Sequence, residues 1–356
     1  MPTAAEVSET LASFPDPETG RPISKTDQIH SVEADDHRVQ VRLGLTSHSA
    51  AIADEVRAAM RDQVTSAFPG CDVEISIVPH SRPPARSGQS GLTVKSVLLV
   101  GSGKGGVGKS TVAASLAVSL SKLGSKVGLM DADVYGPSVP HLLGLQGRPE
   151  VSANKRIQPI SAAGIPVMSM GFLLEPDQAV IWRGPMLHGS IQQFLGETDW
   201  GELDYLVIDM PPGTGDVALT LSQSVAIAGA IVVCTPQEVA LLDAIKAISM
   251  FRKVKIPILG MVENMSGFEC PDCGKTYEIF GRGGAREKAE ELGVPLLGQL
   301  PIDPVLRIAG DEGRLASVIR EDARASAPLE QFARATVRQL ASAAASQPAK
   351  PTLPTL

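Results

Sequence analysis

Several classes of protein are excluded by what this sequence of 356 residues lacks. Its four cysteines are too few for a disulfide framework in a chain of this length, so we expect a reducing, cytoplasmic setting. No unbroken apolar stretch approaches the roughly 18 residues of a spanning helix, and the first residues lack the basic and apolar regions of a secretory signal. The net charge of −7 gives no electrostatic reason to expect nucleic acid or an anionic membrane as partner.

The pattern of the remaining residues predicts two domains, as the length also does. Residues 1–80 combine alternating strand-like runs with a helical period and predict a small α+β domain. Residues 81–93, rich in Pro, Ser, Gly and Arg, indicate a linker. In residues 94–340, apolar strands alternate with helices, which is typical of a doubly wound, mostly parallel α/β sheet. Residues 341–356 are expected to be a disordered tail.

An octapeptide near the start of the second domain carries the strongest chemical signal. Directly after an apolar strand, residues Gly103 to Ser110 read G-K-G-G-V-G-K-S. This is the phosphate-loop pattern, in which backbone N–H groups surround phosphate oxygens, the lysine reaches the β- and γ-phosphates and the hydroxyl binds Mg²⁺. We therefore expect ATP to bind through Lys109 and Ser110, and through the rest of this segment, Gly103, Lys104, Gly105, Gly106, Val107, Gly108 and Thr111.

Aspartates end two further apolar strands. Asp209 ends the run 206–209, the Walker B position from which an acid holds Mg²⁺. Asp131 and Asp133 end another strand and are candidates for orienting the attacking water, with Asp131 also a candidate Mg²⁺ ligand. An aspartate at a strand end is often only a cap or turn residue. The strand order that follows the phosphate loop favours the catalytic interpretation.

The chain has one C-x-x-C pair, Cys270 and Cys273. Two thiolates at this spacing ligate one metal or one edge of a cluster, whereas a tetrathiolate site needs four. Cys71 lies in the first domain, and Cys234 lies in an apolar strand where a buried, inert thiol is expected. A second molecule must therefore complete the site, and a two-fold axis beside the loop would do so. Spacing alone favours zinc over a cluster, and a redox dithiol lacks a thioredoxin-like context.

Five segments together resemble the Mrp/ApbC family of iron–sulfur cluster carrier ATPases. They are the deviant Walker A segment 103–110, D-A-D-V-Y-G-P-S at 131–138, D-M-P-P-G-T-G-D at 209–216, T-P-Q-E-V-A at 235–240 and N-M-S at 264–266. The resemblance covers roughly residues 95–335, and the length of these motifs makes chance implausible.

The resemblance implies an ATP-hydrolysing homodimer that carries a bridging [4Fe–4S] cluster on Cys270 and Cys273. Cluster scaffolds would be its donors and apo iron–sulfur proteins its acceptors, with no nucleic acid and no membrane as partner. Lys104 would reach the phosphates of the partner subunit. Asn264 and the segment from Pro301 to Asp303 would lie near the adenine.

Residues 11–78 resemble, more weakly, a small domain associated with iron–sulfur assembly that is often fused to this family. That domain usually places a cysteine after a Leu-Thr pair, but here Thr46 is followed by Ser-His-Ser. A direct thiol role is therefore not expected, and we interpret the domain as an interaction module.

Two other functions compete with the carrier. A partitioning or septum-positioning switch ATPase, with a structural zinc at the C-x-x-C, would be expected to show a basic amphipathic helix or a basic surface patch. The sequence 346–356 offers neither. A reductase resembling the nitrogenase iron protein would space its cluster cysteines singly, unlike Cys270 and Cys273.

Overall fold

A computed structural model describes residues 2–87, 91–173, 184–213 and 215–346. Tertiary contacts divide the chain into two units, one of residues 1–83 with 336–356 and the other of residues 84–335. Thr214, residues 88–90 of the expected linker and residues 347–356 of the expected tail lie outside the described residues. The expected limits of independently folding domains stay a prediction.

The first unit is built on a three-stranded sheet. Its strands are β1 (Ile29–Ala34), β2 (Arg38–Leu45) and β3 (Asp72–Pro79), and its helices are α1 (Ala4–Leu11) and α2 (Ala53–Ala67). The sheet order is β1-β2-β3, with β1 antiparallel and β3 parallel to β2. Every second residue of β2 is buried, as a sheet with one covered face requires. The expected small α+β domain is confirmed.

The second unit contains a ten-stranded sheet. Its strands are β4 (Arg86–Ser87), β5 (Leu92–Gly101), β6 (Val127–Asp131), β7 (Ile160–Ala162), β8 (Ile165–Ser169), β9 (Leu203–Asp209), β10 (Ile227–Cys234), β11 (Ile258–Glu269), β12 (Thr276–Tyr277) and β13 (Leu296–Ile302). Its helices are α3 (Lys109–Lys122), α4 (Val139–Leu142), α5 (Gly184–Glu197), α6 (Gly215–Ser224), α7 (Glu238–Lys253), α8 (Gly284–Leu292), α9 (Pro304–Asp311), α10 (Leu315–Glu321) and α11 (Ala323–Ser346), which continues into the first unit.

The central strands of this sheet are parallel, which confirms the expected doubly wound α/β fold. The order is β12-β11-β10-β5-β9-β6-β8-β7, with β13 beside β11 and β4 beside β5. Strands β10, β5, β9, β6 and β8 are all parallel to their neighbours in this series. The core strands are apolar along their whole length, because helices cover both faces.

The sheet order explains where the site lies. Strand β5 has β9 on one side and β10 on the other, so the loop after β5 opens at a switch point of the topology, where ligands bind in such sheets. Asp131 ends β6 and is paired in register with Asp209 at the end of β9. Both aspartates and the phosphate loop therefore share one edge of the sheet.

Two expectations about chain segments are corrected. Residues 341–346, expected to be disordered, continue helix α11 to Ser346. Alanine has the highest helix propensity, and extending an existing helix avoids the cost of nucleation. Part of the expected linker 81–93 also joins the sheet, because Arg86 and Ser87 pair with the start of β5.

Candidate functional site

The phosphate loop connects β5 to α3 and is shaped by its glycines. Gly108 precedes the helix with φ +80°, a left-handed conformation that favours glycine. A Cβ on Gly103 would lie 1.9 Å from the backbone oxygen of Asp243 in α7, so the loop passes against that helix too closely for any side chain. No side chain caps the first N–H groups of α3. These N–H groups form an anion site at a helix N-terminus.

Lys109 is buried and lies among acidic side chains. Its Nζ is 2.5 Å from Oδ1 of Asp209, 3.4 Å from Oδ2 of Asp133 and 3.2 Å from Oγ of Ser110. Burial raises the pKa of Asp209, while the Lys109 ammonium opposes that rise. The structure thus brings four of the residues expected at the nucleotide site into direct contact.

The oxygens beside Lys109 fit a magnesium ion. Oδ2 of Asp209 is buried and has no hydrogen-bond partner, a costly arrangement unless a cation or donor occupies the site. The Ser110 hydroxyl contacts the same cluster through Lys109. Carboxylate and hydroxyl oxygens are ligands that Mg²⁺ takes in phosphate-loop sites. Asp209 and Ser110 are therefore the residues that would hold it.

Asp131 has a different environment from the one expected of a metal ligand. Its Oδ2 accepts from Ser169 Oγ at 2.9 Å and from Val139 N at 3.3 Å, and its Oδ1 accepts from Asp133 N at 3.0 Å. Burial, together with the charge of Asp209, raises the pKa of Asp131 to about 8. Both oxygens are thus engaged in holding the segment after β6, and direct Mg²⁺ ligation would require Asp131 to give up these bonds.

Asp133 shapes the turn that follows. Its Oδ1 accepts from the backbone N–H groups of Tyr135 at 3.1 Å and Gly136 at 3.2 Å. Its other oxygen faces Lys109. Asp133 is therefore the acid after β6 whose carboxylate lies against the phosphate-loop lysine.

A mostly apolar cavity of about 470 Å³ lies beside the phosphate loop. Thr111, Asn264, Pro301 and Asp303 line it, as the resemblance implies for an adenine site. The Asp303 carboxylate also caps α9, accepting from Val305 N at 2.7 Å. Sequence reasoning did not find the other lining residues, which include Met265, Ile279, Phe280, Leu306, Arg307 and Leu329. No local motif marks them, since they meet only in the folded chain.

The C-x-x-C pair sits on a tight turn at the end of β11. Cys270 N donates to Lys275 O at 3.0 Å, Gly274 N donates to Cys270 O at 2.9 Å, and β12 then pairs back onto β11. Backbone N–H groups of Cys273 and Asp272 hold the pKa of the Cys270 thiol below its usual value. Cys270 is half-buried and Cys273 exposed. This is a ready pair of thiolate ligands.

The other two cysteines do not join this pair to form a larger ligand set. Cys234 is buried in β10, where burial raises the pKa of its thiol to about 12, and Cys71 belongs to the first unit. In the described residues, no three His, Cys, Asp or Glu side chains are gathered in a way that would hold a metal ion. The expectation that a second molecule supplies further ligands stays a prediction.

Comparisons with known proteins match both units. Residues 93–337 match the family described as NUBPL iron-transfer P-loop NTPase, and residues 4–77 match the one described as iron-sulfur cluster assembly protein. The iron-sulfur cluster carrier protein of Deinococcus radiodurans is 47% identical over 336 residues, 93% of each chain. The chain belongs to the family of NUBPL iron-transfer P-loop NTPases.

Solved structures agree with this family. The nucleotide-binding protein of Archaeoglobus fulgidus, solved in complex with ADP, is 46% identical, with a TM-score of 0.56 over 63% of this chain and 88% of that one. The cell division ATPase MinD of Pyrococcus furiosus is 24% identical, with a TM-score of 0.50 over 67% of this chain and 97% of that one. That likeness shows the fold alone.

Membership of this family confirms two expectations. The chain is a nucleotide-binding P-loop NTPase, and its function is that of an iron–sulfur cluster carrier rather than of a septum-positioning switch. Within the part of the chain that the structure describes, no helix has the length and apolar character needed to cross a membrane.

Proposed function

We propose that this member of the iron-transfer NTPases is a Mg²⁺-dependent ATPase that carries a [4Fe–4S] cluster across a homodimer and transfers it to apoproteins. The observation that carries the proposal is the geometry of β11. One strand contributes Asn264 to the wall of the base cavity and ends at Cys270, whose thiol has a lowered pKa. Free thiols of this kind also favour a reducing compartment such as the cytoplasm.

The charges at the phosphate loop support ATP hydrolysis. Lys109 lies where it can exchange its pairing with Asp209 for a pairing with phosphate oxygens. Asp133, 3.4 Å from the same ammonium, is placed to orient a water toward the γ-phosphate. A bound Mg²⁺ on Ser110 and Asp209 would supply charge neutralisation. Transfer of the phosphoryl group to that water gives ADP and phosphate.

Two separate observations favour a homodimer. The C-x-x-C turn supplies two thiolates, and a [4Fe–4S] cluster held by cysteines takes four. Lys104 is only partly buried, and it has no ion pair within the described residues. A two-fold axis would satisfy both features, pairing two C-x-x-C turns and bringing each Lys104 to the other subunit's phosphates.

Anaerobic reconstitution tests the cargo. The wild-type chain, Cys270→Ala and the control Cys71→Ala, which removes a half-buried thiol of the other unit, are incubated with iron and sulfide. We expect about four irons and four sulfides per dimer in wild type and in the control, and none in Cys270→Ala. Zinc bound in place of iron, or iron unaffected by Cys270→Ala, would contradict the proposal and favour a structural metal.

A further inference from the structure

Beneath the C-x-x-C turn lies a buried carboxylate that the proposed chemistry does not use. Glu263 in β11 has no exposed surface. It accepts from Ser266 Oγ at 2.5 Å, from Gln299 Nε2 at 2.7 Å and from the backbone N–H groups of Ala285 at 2.9 Å and Gly283 at 3.5 Å. Burial alone would raise its pKa, but these donors hold the pKa below the ordinary value. All four neighbours are donors, so the site requires an ionised acceptor.

These partners stand on either side of one segment. Ser266 precedes the cysteine pair along the chain, whereas Gly283 and Ala285 follow it. Glu263 therefore closes the base of the segment 266–283, which carries the cysteines. The backbone is irregular at this point, because Met265 has φ 59° and the pairing of β11 with β13 shifts register between Asn264 and Phe268.

The next residue contacts the phosphate loop. Asn264 Nδ2 donates to the carbonyl oxygen of Val107 at 2.9 Å, and a Cβ on Gly108 would lie 2.3 Å from the same nitrogen. Any movement of the loop on binding phosphates is thus felt at Asn264. Two adjacent residues of one strand hold the nucleotide loop and the base of the cysteine segment.

The base cavity joins the same parts of the chain. Its wall includes Asn264 and Met265 on β11 and also Ile279 and Phe280, which lie inside the segment that Glu263 closes. A nucleotide base in this cavity would contact both the strand and the returning arm of the cysteine segment. Binding energy spent there can change the position of the cysteines only if the base of the segment is held.

We propose that Glu263 is a positioning residue that transmits nucleotide binding from Asn264 to the cysteine pair. The inference rests on the proposed function, since it names the contact through which ATP and cluster site are coupled. Without the Glu263 carboxylate, the segment 266–283 would still carry its thiols, but their exposure would no longer depend on the nucleotide.

Thiol modification of the full-length apoprotein tests this directly. Rates of N-ethylmaleimide reaction at Cys270 and Cys273 are measured by mass spectrometry with and without Mg²⁺ and ATP. Glu263→Gln keeps the side chain's size but turns an amide donor toward other donors. Glu269→Gln is the matched control, because Glu269 lies on the same strand, is exposed and pairs only loosely with Arg324 at 3.6 Å. The affinity for ATP is measured in parallel, and we expect it to stay near wild type in both variants.

In wild type and Glu269→Gln we expect ATP to change the reaction rates by at least about fivefold, the lower end of ordinary coupling between sites. In Glu263→Gln the two rates should be nearly equal while ATP still binds. An ATP effect in Glu263→Gln as large as in wild type would overturn the inference and leave the carrier function intact. No ATP effect in wild type would overturn the inference and the proposed coupling together. Ser266→Ala, which removes a single donor, replaces Glu263→Gln if that variant does not fold, and should weaken the ATP effect.

Discussion

Nζ of Lys109 lies 2.5 Å from Oδ1 of Asp209, so the phosphate-loop lysine and the Walker B aspartate form a buried ion pair. The pair links α3 to the end of β9, and it uses the two groups that the proposed chemistry needs at the phosphates and the metal. Binding of MgATP must therefore exchange one set of charge contacts for another. Stability and nucleotide binding are expected to depend on the same two side chains.

Removing the lysine alone should destabilise the fold. Lys109→Ala leaves Asp209 buried without its partner, and breaking one side of a buried pair costs about 3 kcal/mol or more. In Lys109→Ala with Asp209→Asn, the uncompensated charge is gone, and we expect much of the free energy of unfolding to return. Urea denaturation without nucleotide measures this. A double variant no more stable than Lys109→Ala would show that the pair does not carry the loss.

Lys104 should act on the partner subunit's nucleotide. Lys104→Ala is expected to bind ATP but to hydrolyse it about 100-fold more slowly, as for loss of one group that stabilises transition-state charge. Mixed with inactive Lys109→Ala, it should recover about a quarter of wild-type activity, since half of the dimers would hold one intact site of two. If mixing restores nothing, Lys104 acts within its own subunit.

The close approach of the phosphate loop to α7 predicts different effects at two glycines. Gly103→Ala would place a Cβ against the backbone of Asp243, whereas a Cβ on Gly105 meets nothing within 4 Å. We expect Gly103→Ala to lower the free energy of unfolding by about 2 kcal/mol, an ordinary cost of overpacking, and Gly105→Ala to change it little. Thermal denaturation without nucleotide compares them. Equal stabilities would contradict the observed packing.

Asp131 should make stability depend on pH. Its pKa is raised to about 8 in the folded chain, whereas an unfolded aspartate titrates near its ordinary value of about 3.9. The folded state therefore holds an extra proton between these values, and stability is lost as pH rises from about 4 to 8. Asp131→Asn, which has no proton to lose, should gain stability over wild type at pH 8 compared with pH 5.

The measurement is the denaturation midpoint at both pH values without Mg²⁺ or nucleotide. Ser169→Ala serves as control, because it removes one hydrogen bond to Asp131 but leaves the titrating group. A wild type and Asp131→Asn with the same pH dependence would show that Asp131 is ionised in the folded chain.

Local motifs predicted the residues that depend on local structure. A strand, a glycine loop and a helix follow one another directly, so Lys109 and Ser110 are readable from the sequence, and an acid ending an apolar strand locates Asp209. The C-x-x-C spacing likewise predicts the turn that carries Cys270. These side chains lie as expected, although their roles in catalysis and cluster binding stay predictions.

Contacts between distant segments were not readable in this way. Glu263 sits in an apolar strand, and nothing in its neighbours announces that donors from Ala285 and Gln299 meet there. Phe280 reaches the base cavity only because β12 folds back on β11. Asp131 had the pattern of a metal ligand, but the hydroxyl of Ser169, on a neighbouring strand, occupies its carboxylate.

Cluster transfer to an acceptor tests the central claim most directly. The reconstituted dimer is mixed with an apo-[4Fe–4S] enzyme in the presence of an iron chelator, and recovery of that enzyme's activity is followed with and without MgATP. The account predicts that activity returns despite the chelator, that the rate depends on MgATP, and that Cys273→Ser gives no recovery. Recovery abolished by the chelator would mean that free iron, rather than a carried cluster, reaches the acceptor, and would contradict the account.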